Sequence, residues 1–358
     1  MKIILDNIIY SNVTQGGVSN YWFELSKFLL EKEQDEISFY EESNSKLNFH
    51  RSQLFIPENQ IINNESSSVF SIKRRLSSVE IKREDHFLYH SSYYRPISGC
   101  NNFSEITTVH DFTHDYYSSF LKRLVHNKMK YGCIKRAKGI ICISENTYTD
   151  LIKFCPPNKN QKVRIIPNGV SDDYYKIEEE NCLENLQINR PYLLYVGSRE
   201  NYKNFSFVVK LLKEISNINL VIVGSNFSKN ELRLFDKESL KRTAIISNVT
   251  NKDLNILYNY AHALVYPSSY EGFGIPIIEA MKAGCPVLSL QNSSIIEVSG
   301  NAAILLKELN IELFKKALIA LYNPDFRKEI IGKGILQAKK YSWDKCLKET
   351  YEFYKEVY

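Results

Sequence analysis

Short apolar runs rich in β-branched residues alternate with helix-length amphipathic stretches along the whole chain. The runs predict strands at residues 2–5, 37–40, 87–90, 106–109, 139–143 and 163–166 in the first half. In the second half they predict strands at 192–196, 220–223, 244–246, 263–266 and 286–290. Between them, apolar positions three and four apart predict helices at 18–30, 120–135, 205–215, 251–261 and 311–321. Strands that are apolar on both faces and separated by helices form parallel sheets covered on both sides, so the class is α/β. Eleven such strands exceed one doubly wound unit of five or six. Two tandem units are expected, residues 1–167 and 168–342, with the seam at Pro167-Asn168-Gly169. Residues 41–80 are polar and poorly patterned and read as a long excursion, and the charged stretch 177–185 reads as a second one. Roughly the last 50 residues read as helices only. There Trp343, Leu347, Tyr351 and Tyr354 make one apolar stripe, which must pack on something already built.

Composition narrows the class. A length of 358 residues fits two domains at ~100–200 residues each. With 44% hydrophobic and 24% charged residues the chain is neither disordered nor fibrous. No apolar run reaches the ~18 residues of a membrane-spanning helix. The opening MKIILDNIIY is broken by Asp6 and Asn7 and reads as a buried strand rather than a signal peptide. Seven cysteines are scattered without a C-x-x-C pair, against zinc or disulfide frameworks and in favour of a cytoplasmic location. The net charge of +5, from 46 basic and 41 acidic residues, is too balanced for a dedicated nucleic-acid binder.

The densest candidate chemistry is Tyr270-Glu271-Gly272-Phe273-Gly274-Ile275-Pro276, followed by Glu279. It succeeds the strand at 263–266. Two glycines allow a tight turn, Pro276 suits a helix start, and Gly284 with Pro286 ends the helix two turns later. A helix N-terminus at the carboxyl end of a strand is where open α/β sheets bind ligands, phosphates above all. Either glutamate alone is equally a solvated loop acid or a partner of its own helix dipole. The E-x7-E spacing with its glycines and proline is the specific signal. A second cluster, Tyr195-Val196-Gly197-Ser198-Arg199-Glu200-Asn201-Tyr202-Lys203-Asn204, is again strand, loop and helix. Arg199 and Lys203 there can neutralise a diphosphate, one as a fork and one as a point charge. Gly16-Gly17 ends the first strand's loop, and His110 beside Asp111 ends the strand at 106–109. Neither G-x-G-x-x-G nor G-x-x-x-x-G-K-[ST] occurs, and H-E-x-x-H, G-x-S-x-G and D-x-D are also missing.

These segments resemble the retaining enzymes of glycosyltransferase family 4. The resemblance is carried by GGV at 16–18, TVHD at 108–111, IICISENT at 140–147, IIPNGV at 165–170, YVGSRENYKN at 195–204 and SSYEGFGIPIIEAMKAGCPV at 268–287. It implies the GT-B fold, two Rossmann-like domains facing a central cleft, with the final helix at 343–358 packing back on the first domain. It also implies transfer of a hexosyl unit, mannosyl or glucosyl, from a nucleoside-diphosphate sugar to a glycan or polyprenyl-linked acceptor in surface-polysaccharide synthesis. By the same resemblance Arg199 and Lys203 hold the donor diphosphate, Glu279 the ribose, and Glu271 the transferred sugar. Phe273, Gly274, Ile275 and Val249 fall at donor-binding positions, Gly17 approaches the diphosphate, and His110 lines the sugar site. The family often has arginine directly before the lysine, where this chain has Tyr202. Without D-x-D, cations would replace a divalent metal, so neither metal nor cofactor is expected. Two alternatives stay open, a sugar-nucleotide epimerase or hydrolase on the same scaffold and a non-catalytic assembly subunit.

Residues 121–138, LKRLVHNKMKYGCIKRAK, hold seven Lys or Arg and no acid. On a helix, Leu121, Leu124, Val125, Met129 and Cys133 share one side. That is the pattern of an interfacial helix on an anionic membrane, or of a core helix with a basic outer side.

Overall fold

The computed structural model describes residues 1–64, 77–178, 188 and 191–358. The chain divides into two compact units, Met1–Asn168 with Trp343–Tyr358, and Gly169–Ser342.

The first unit contains β1 (Lys2–Asp6), β2 (Glu36–Glu42), β3 (Ile61–Asn64), β4 (Val79–Glu80), β5 (Phe87–Ser91), β6 (Ile97–Ser98), β7 (Phe103–Val109), β8 (Gly139–Cys142) and β9 (Lys162–Ile165). Seven of these form a parallel sheet in the order β3-β2-β1-β5-β7-β8-β9, while β4 and β6 pair separately. The second unit contains β10 (Tyr192–Val196), β11 (Asn219–Val223), β12 (Thr243–Ile246), β13 (Ala263–Tyr266), β14 (Val287–Leu290) and β15 (Ile304–Leu306), in the order β12-β11-β10-β13-β14-β15. In each sheet the chain winds outward from a central strand to one edge, returns, and winds to the other. The order reverses between β1 and β5 and between β10 and β13, and at such a switch point the strands' carboxyl ends leave a crevice. The register Leu194↔Val221 and Leu194↔Leu264 seats β10 centrally.

Apolar residues from both faces of each sheet build the cores. In the second unit Tyr195, Leu220 and Val265 pack with Phe205, Val208 and Leu212 of helix Phe205–Lys213. In the first, Ile3, Leu5, Phe39 and Leu88 pack with Trp22 and Leu25 of helix Gly17–Leu30. Helix Trp343–Val357 completes that core with Trp343, Leu347, Phe353 and Tyr354. Its approach is so close that a Cβ on Gly139 would stand 2.8 Å from Val357 and 3.0 Å from Phe353, so only glycine fits there. Tyr354 then shares a 2.5 Å hydrogen bond with His90, whose imidazole burial lowers to about 3.

The structure corrects the reading of residues 41–64 as part of an unpatterned excursion, while residues 65–76 of that stretch lie outside the described residues. Strand β2 continues through Glu42, a helical turn spans Phe49–Ser52, and β3 adds an edge strand. The pattern was hidden because β2 ends in two buried acids. Glu41 pairs with Arg51 at 2.6 Å and Glu42 with Arg95 at 2.7 Å, so charge sits where apolar residues signal a strand. Both β3 and β15 are short edge strands with one neighbour, and neither was anticipated. Of the stretch 177–185, residues 179–185 lie outside the described residues. Among the described residues no helix is long and apolar enough to cross a membrane.

Candidate active site

The second unit's crevice is built by the segments that follow β10 and β13. After β10 the chain turns through the single helical turn Asn201–Lys203, then Asn204 adopts a left-handed conformation at φ 54° and opens helix Phe205–Lys213. Asparagine tolerates that conformation better than most residues. Its side-chain amide then donates to the carbonyl of Pro267 at 2.8 Å and to Ser269 Oγ at 2.7 Å, while Ser269 N–H donates to the Tyr202 carbonyl at 2.8 Å. Three bonds thus lace the two segments together at the switch point.

Lys203 projects from this lacing. Its Nζ donates to Glu271 Oε1 at 2.5 Å and to the Tyr266 hydroxyl at 3.3 Å. An ammonium has three donors, so one remains for an anion. Tyr266 is buried, and burial with Glu271 nearby holds its hydroxyl protonated, well above its ordinary range. Glu271 is itself held by its backbone. Its N–H donates to Ser293 Oγ at 3.0 Å, and its carbonyl accepts from Ser294 Oγ at 2.9 Å.

Three residues on, Gly274 takes φ 90° and starts helix Ile275–Lys282 without any side-chain cap. Pro276 has no N–H and the Ile277 N–H closes onto the Gly274 carbonyl at 2.9 Å, and this uncapped terminus carries the partial positive charge of a helix start. Phe273 is buried edge-on against Tyr341, with ring centroids 5.6 Å apart. Glu279 lies one turn into the helix, partly buried, and accepts from the Tyr258 hydroxyl at 2.9 Å. Burial raises its carboxyl to about 7, against the pull of hydrogen bonds from Tyr258 and Tyr174.

In the structure Arg199 is held within the second unit. Its Nε donates to Glu231 at 2.5 Å and its Nη2 to the carbonyls of Ser225 and Asn226 at 2.9 and 3.0 Å. Phe205 and Phe227 flank the guanidinium. Burial raises the Glu231 carboxyl, but Arg199 and Ser228 outweigh it and hold it at about 2. Arg199 is thus paired with an acid, as Lys203 is with Glu271. Val249 sits in the turn after β12, between Asn248 and helix Asn251–Tyr260. In the first unit, exposed Gly17 is the first residue of helix Gly17–Leu30. His110 follows β7, edge-on to Tyr21 at 5.2 Å, and burial lowers its imidazole to about 4 against the pull of Asp111.

Four contributors escaped the sequence reading, namely Asn204, Tyr266, Tyr258 and Tyr174. Asn204 had a signal, since an asparagine opening a helix after a turn is a candidate for positive φ. The tyrosines read as strand, helix and loop residues, and only sheet order brings them to the carboxylates.

Two Rossmann-type parallel units, one carrying this cation, carboxylate and helix-terminus crevice, define the GT-B class of glycosyltransferases. Comparison with known proteins agrees. The model of "Glycosyltransferase Family 4" matches residues 15–174, and that of "Glycosyl transferases group 1" matches residues 178–337. The chain is 28% identical to O-antigen chain mannosyltransferase B of Escherichia coli over 268 residues, 70% of each chain. It is 30% identical to O-antigen chain mannosyltransferase RfbU of Salmonella typhimurium over 259 residues, 66% of this chain and 70% of the relative. Its fold is similar to that of sucrose-phosphate synthase from Thermosynechococcus elongatus, with a TM-score of 0.78 at 16% identity over 100% of this chain and 99% of the other. The chain belongs to glycosyltransferase family 4 and is a glycosyltransferase.

Proposed function

We propose that the enzyme transfers a mannosyl unit, with retention of anomeric configuration, from a nucleoside-diphosphate sugar to a polyprenyl-linked glycan in surface-polysaccharide synthesis, as a peripheral enzyme on the inner face of the membrane. The observation that carries the chemistry is the Lys203–Glu271–Tyr266 cluster beside the uncapped helix N-terminus at Gly274. The mannosyl identity and the polysaccharide setting draw on the names of the two O-antigen relatives.

In this reading the diphosphate lies against the first turn of helix Ile275–Lys282 and takes the third donor of Lys203. Glu271, steadied by Lys203, faces the sugar hydroxyls. Glu279 takes the ribose, with Val249 near the base. Breaking the anomeric C–O bond sends an electron pair to the diphosphate and leaves positive charge on the sugar. Lys203 and the helix terminus are fixed beforehand where the negative charge grows, which lowers the barrier without reorganisation. The acceptor oxygen bonds to the anomeric carbon on the face the diphosphate leaves, and its proton passes to the departing phosphate oxygen. We assign the charge stabilisation to these groups without a divalent metal.

The test is thermal shift with GDP-, UDP- and dTDP-hexoses, then transfer assays with the donor that binds. A true donor raises the melting temperature. Losing a charge-assisted contact costs ~1.5–3 kcal/mol, so Lys203→Ala is expected to lose about 10- to 100-fold in turnover while staying folded. Turnover is also expected to survive EDTA. Near wild-type turnover of Lys203→Ala at saturating donor rejects the site, and loss on chelation with rescue by Mg2+ or Mn2+ rejects the metal-free reading.

A further inference from the structure

The second unit opens with residues 169–178, and side chains of two helices stitch this segment down. On helix Asn251–Tyr260 three asparagines, Asn251, Asn255 and Asn259, recur every fourth residue and so share one face. Asn251 Nδ2 donates to Asp173 Oδ2 at 2.8 Å. Asn255 Oδ1 accepts from the Tyr175 N–H at 3.0 Å, and Asn259 Oδ1 accepts from the Ile177 N–H at 2.7 Å. Asn259 also donates to the Tyr175 carbonyl at 2.9 Å, so one amide grips the backbone twice. From helix Ile275–Lys282, Lys282 donates to the Ser171 carbonyl at 3.0 Å and pairs with Asp172 at 2.5 Å.

What this ladder fixes is Tyr174. Among residues 171–178 only Tyr174 is buried, at 3% exposed. Its ring stands edge-on to Tyr258, with centroids 5.9 Å apart. Its hydroxyl reaches both the Glu279 carboxylate and Asn251 Oδ1, the latter at 3.3 Å. A hydroxyl has one proton, and an ionised carboxylate takes it in preference to a neutral amide oxygen. Tyr258 holds the same carboxylate at 2.9 Å. Phenylalanine would fill the same space at 174, so the hydroxyl serves these polar contacts rather than packing. An ionised carboxylate has about four acceptor positions, and the two phenols leave about two, the number a ribose diol needs. We propose that Tyr174, clamped by the ladder of Asn251, Asn255 and Asn259, is a positioning residue that aims the Glu279 carboxylate at the ribose hydroxyls of the donor. This role rests on the reading of Glu279 as the ribose partner and extends the site to residues 169–178. Coupling between sites is reciprocal, so a ribose that uses the aimed carboxylate also steadies the segment that aims it.

The experiment is calorimetry of the full chain with GDP and UDP, repeated with the 2′,3′-dideoxy form of whichever binds more tightly. Wild type is expected to lose about tenfold or more when the two hydroxyls are removed. Tyr174→Phe is expected to weaken the ribonucleotide about tenfold and to leave the dideoxy form within about twofold of wild type. Asn259→Ala, or Asn255→Ser should that variant not fold, is expected to weaken the ribonucleotide severalfold in wild type. In the Tyr174→Phe background the same change is expected to add nothing, because the residue it acts through has already lost its hydroxyl. Hydrogen exchange in peptides covering 169–178 is expected to slow at saturating ribonucleotide in wild type but not in Tyr174→Phe. Unchanged affinity of Tyr174→Phe, equal losses on both nucleotides, or additive losses in the double variant overturn the proposal and leave a merely structural tyrosine. Dideoxy binding as tight as ribonucleotide binding in wild type, or binding of neither GDP nor UDP, rejects instead the ribose reading of Glu279, and this role with it.

Discussion

At Glu279 a carboxyl is kept partly out of water between two tyrosines, and burial lifts it from the ordinary 4.5 to about 7. Between those values the folded chain holds a proton that the unfolded chain has lost. This contribution to stability is therefore complete below about 4.5 and disappears as pH rises through about 7. Glu279→Gln should flatten that part of the pH–stability curve and gain up to roughly 3 kcal/mol at pH 8, measured by denaturant melts at pH 5 and pH 8. The same change should weaken donor binding about tenfold or more, since an amide accepts a hydroxyl less strongly than a carboxylate. Donor hydroxyls favour the ionised form, so wild-type affinity should rise as pH passes about 7, whereas the Gln variant stays flat in calorimetry. Equal pH dependence in both proteins would remove Glu279 from the donor site. The sequence singled out this glutamate through its spacing from Glu271. It was silent about the proton, because Tyr174 and Tyr258 lie 105 and 21 residues upstream (279 − 174 and 279 − 258).

In the proposed reading the donor diphosphate lies on one element, the helix Ile275–Lys282, whose entry is set by Gly274 at φ 90°. An added Cβ would stand 3.3 Å from Ile277 Cδ1 in a conformation that L side chains rarely adopt. Gly274→Ala should therefore cost ~1–2 kcal/mol, a drop of a few degrees in melting temperature. Relief of the strain would turn the first-turn N–H groups away, so donor affinity should fall by about tenfold or more. A variant that loses stability but binds donor normally would show that the helix terminus is not the phosphate site. This helix and its turn were legible because glycine, proline and a two-turn apolar pattern are local signals. Strands β3 and β15 were not, because a three- or four-residue edge strand with one neighbour has too little pattern to register.

Across the whole chain, the last helix returns to a unit whose other residues end at Asn168. Trp343, Leu347, Phe353 and Tyr354 enter its core, and Tyr351 donates to Asp35 at 2.5 Å. Burying each large apolar side chain contributes ~1.5–3 kcal/mol, so four together rival the ~5–15 kcal/mol stability of a typical domain. A chain ending at residue 342 should lose protection throughout the first unit while Gly169–Ser342 stays protected, as read by hydrogen exchange with peptide resolution. Uniform protection in the truncated chain would refute this dependence.

The sequence by itself determined the α/β class, the two parallel sheets and the glycine–proline–glutamate helix start. All of these are written in residues adjacent along the chain or spaced by one helical turn. Only the tertiary structure decided that Lys203 reaches Glu271 and Tyr266, that Arg199 is neutralised by Glu231, and that Glu41 and Glu42 are strand residues. It also turned Leu121 and Leu124 outward to water. The reason is physical. Periodicity reports that a residue needs burial or a partner, but which partner depends on strand order, and pairing β10 with β13 rather than β12 joins segments some 70 residues apart.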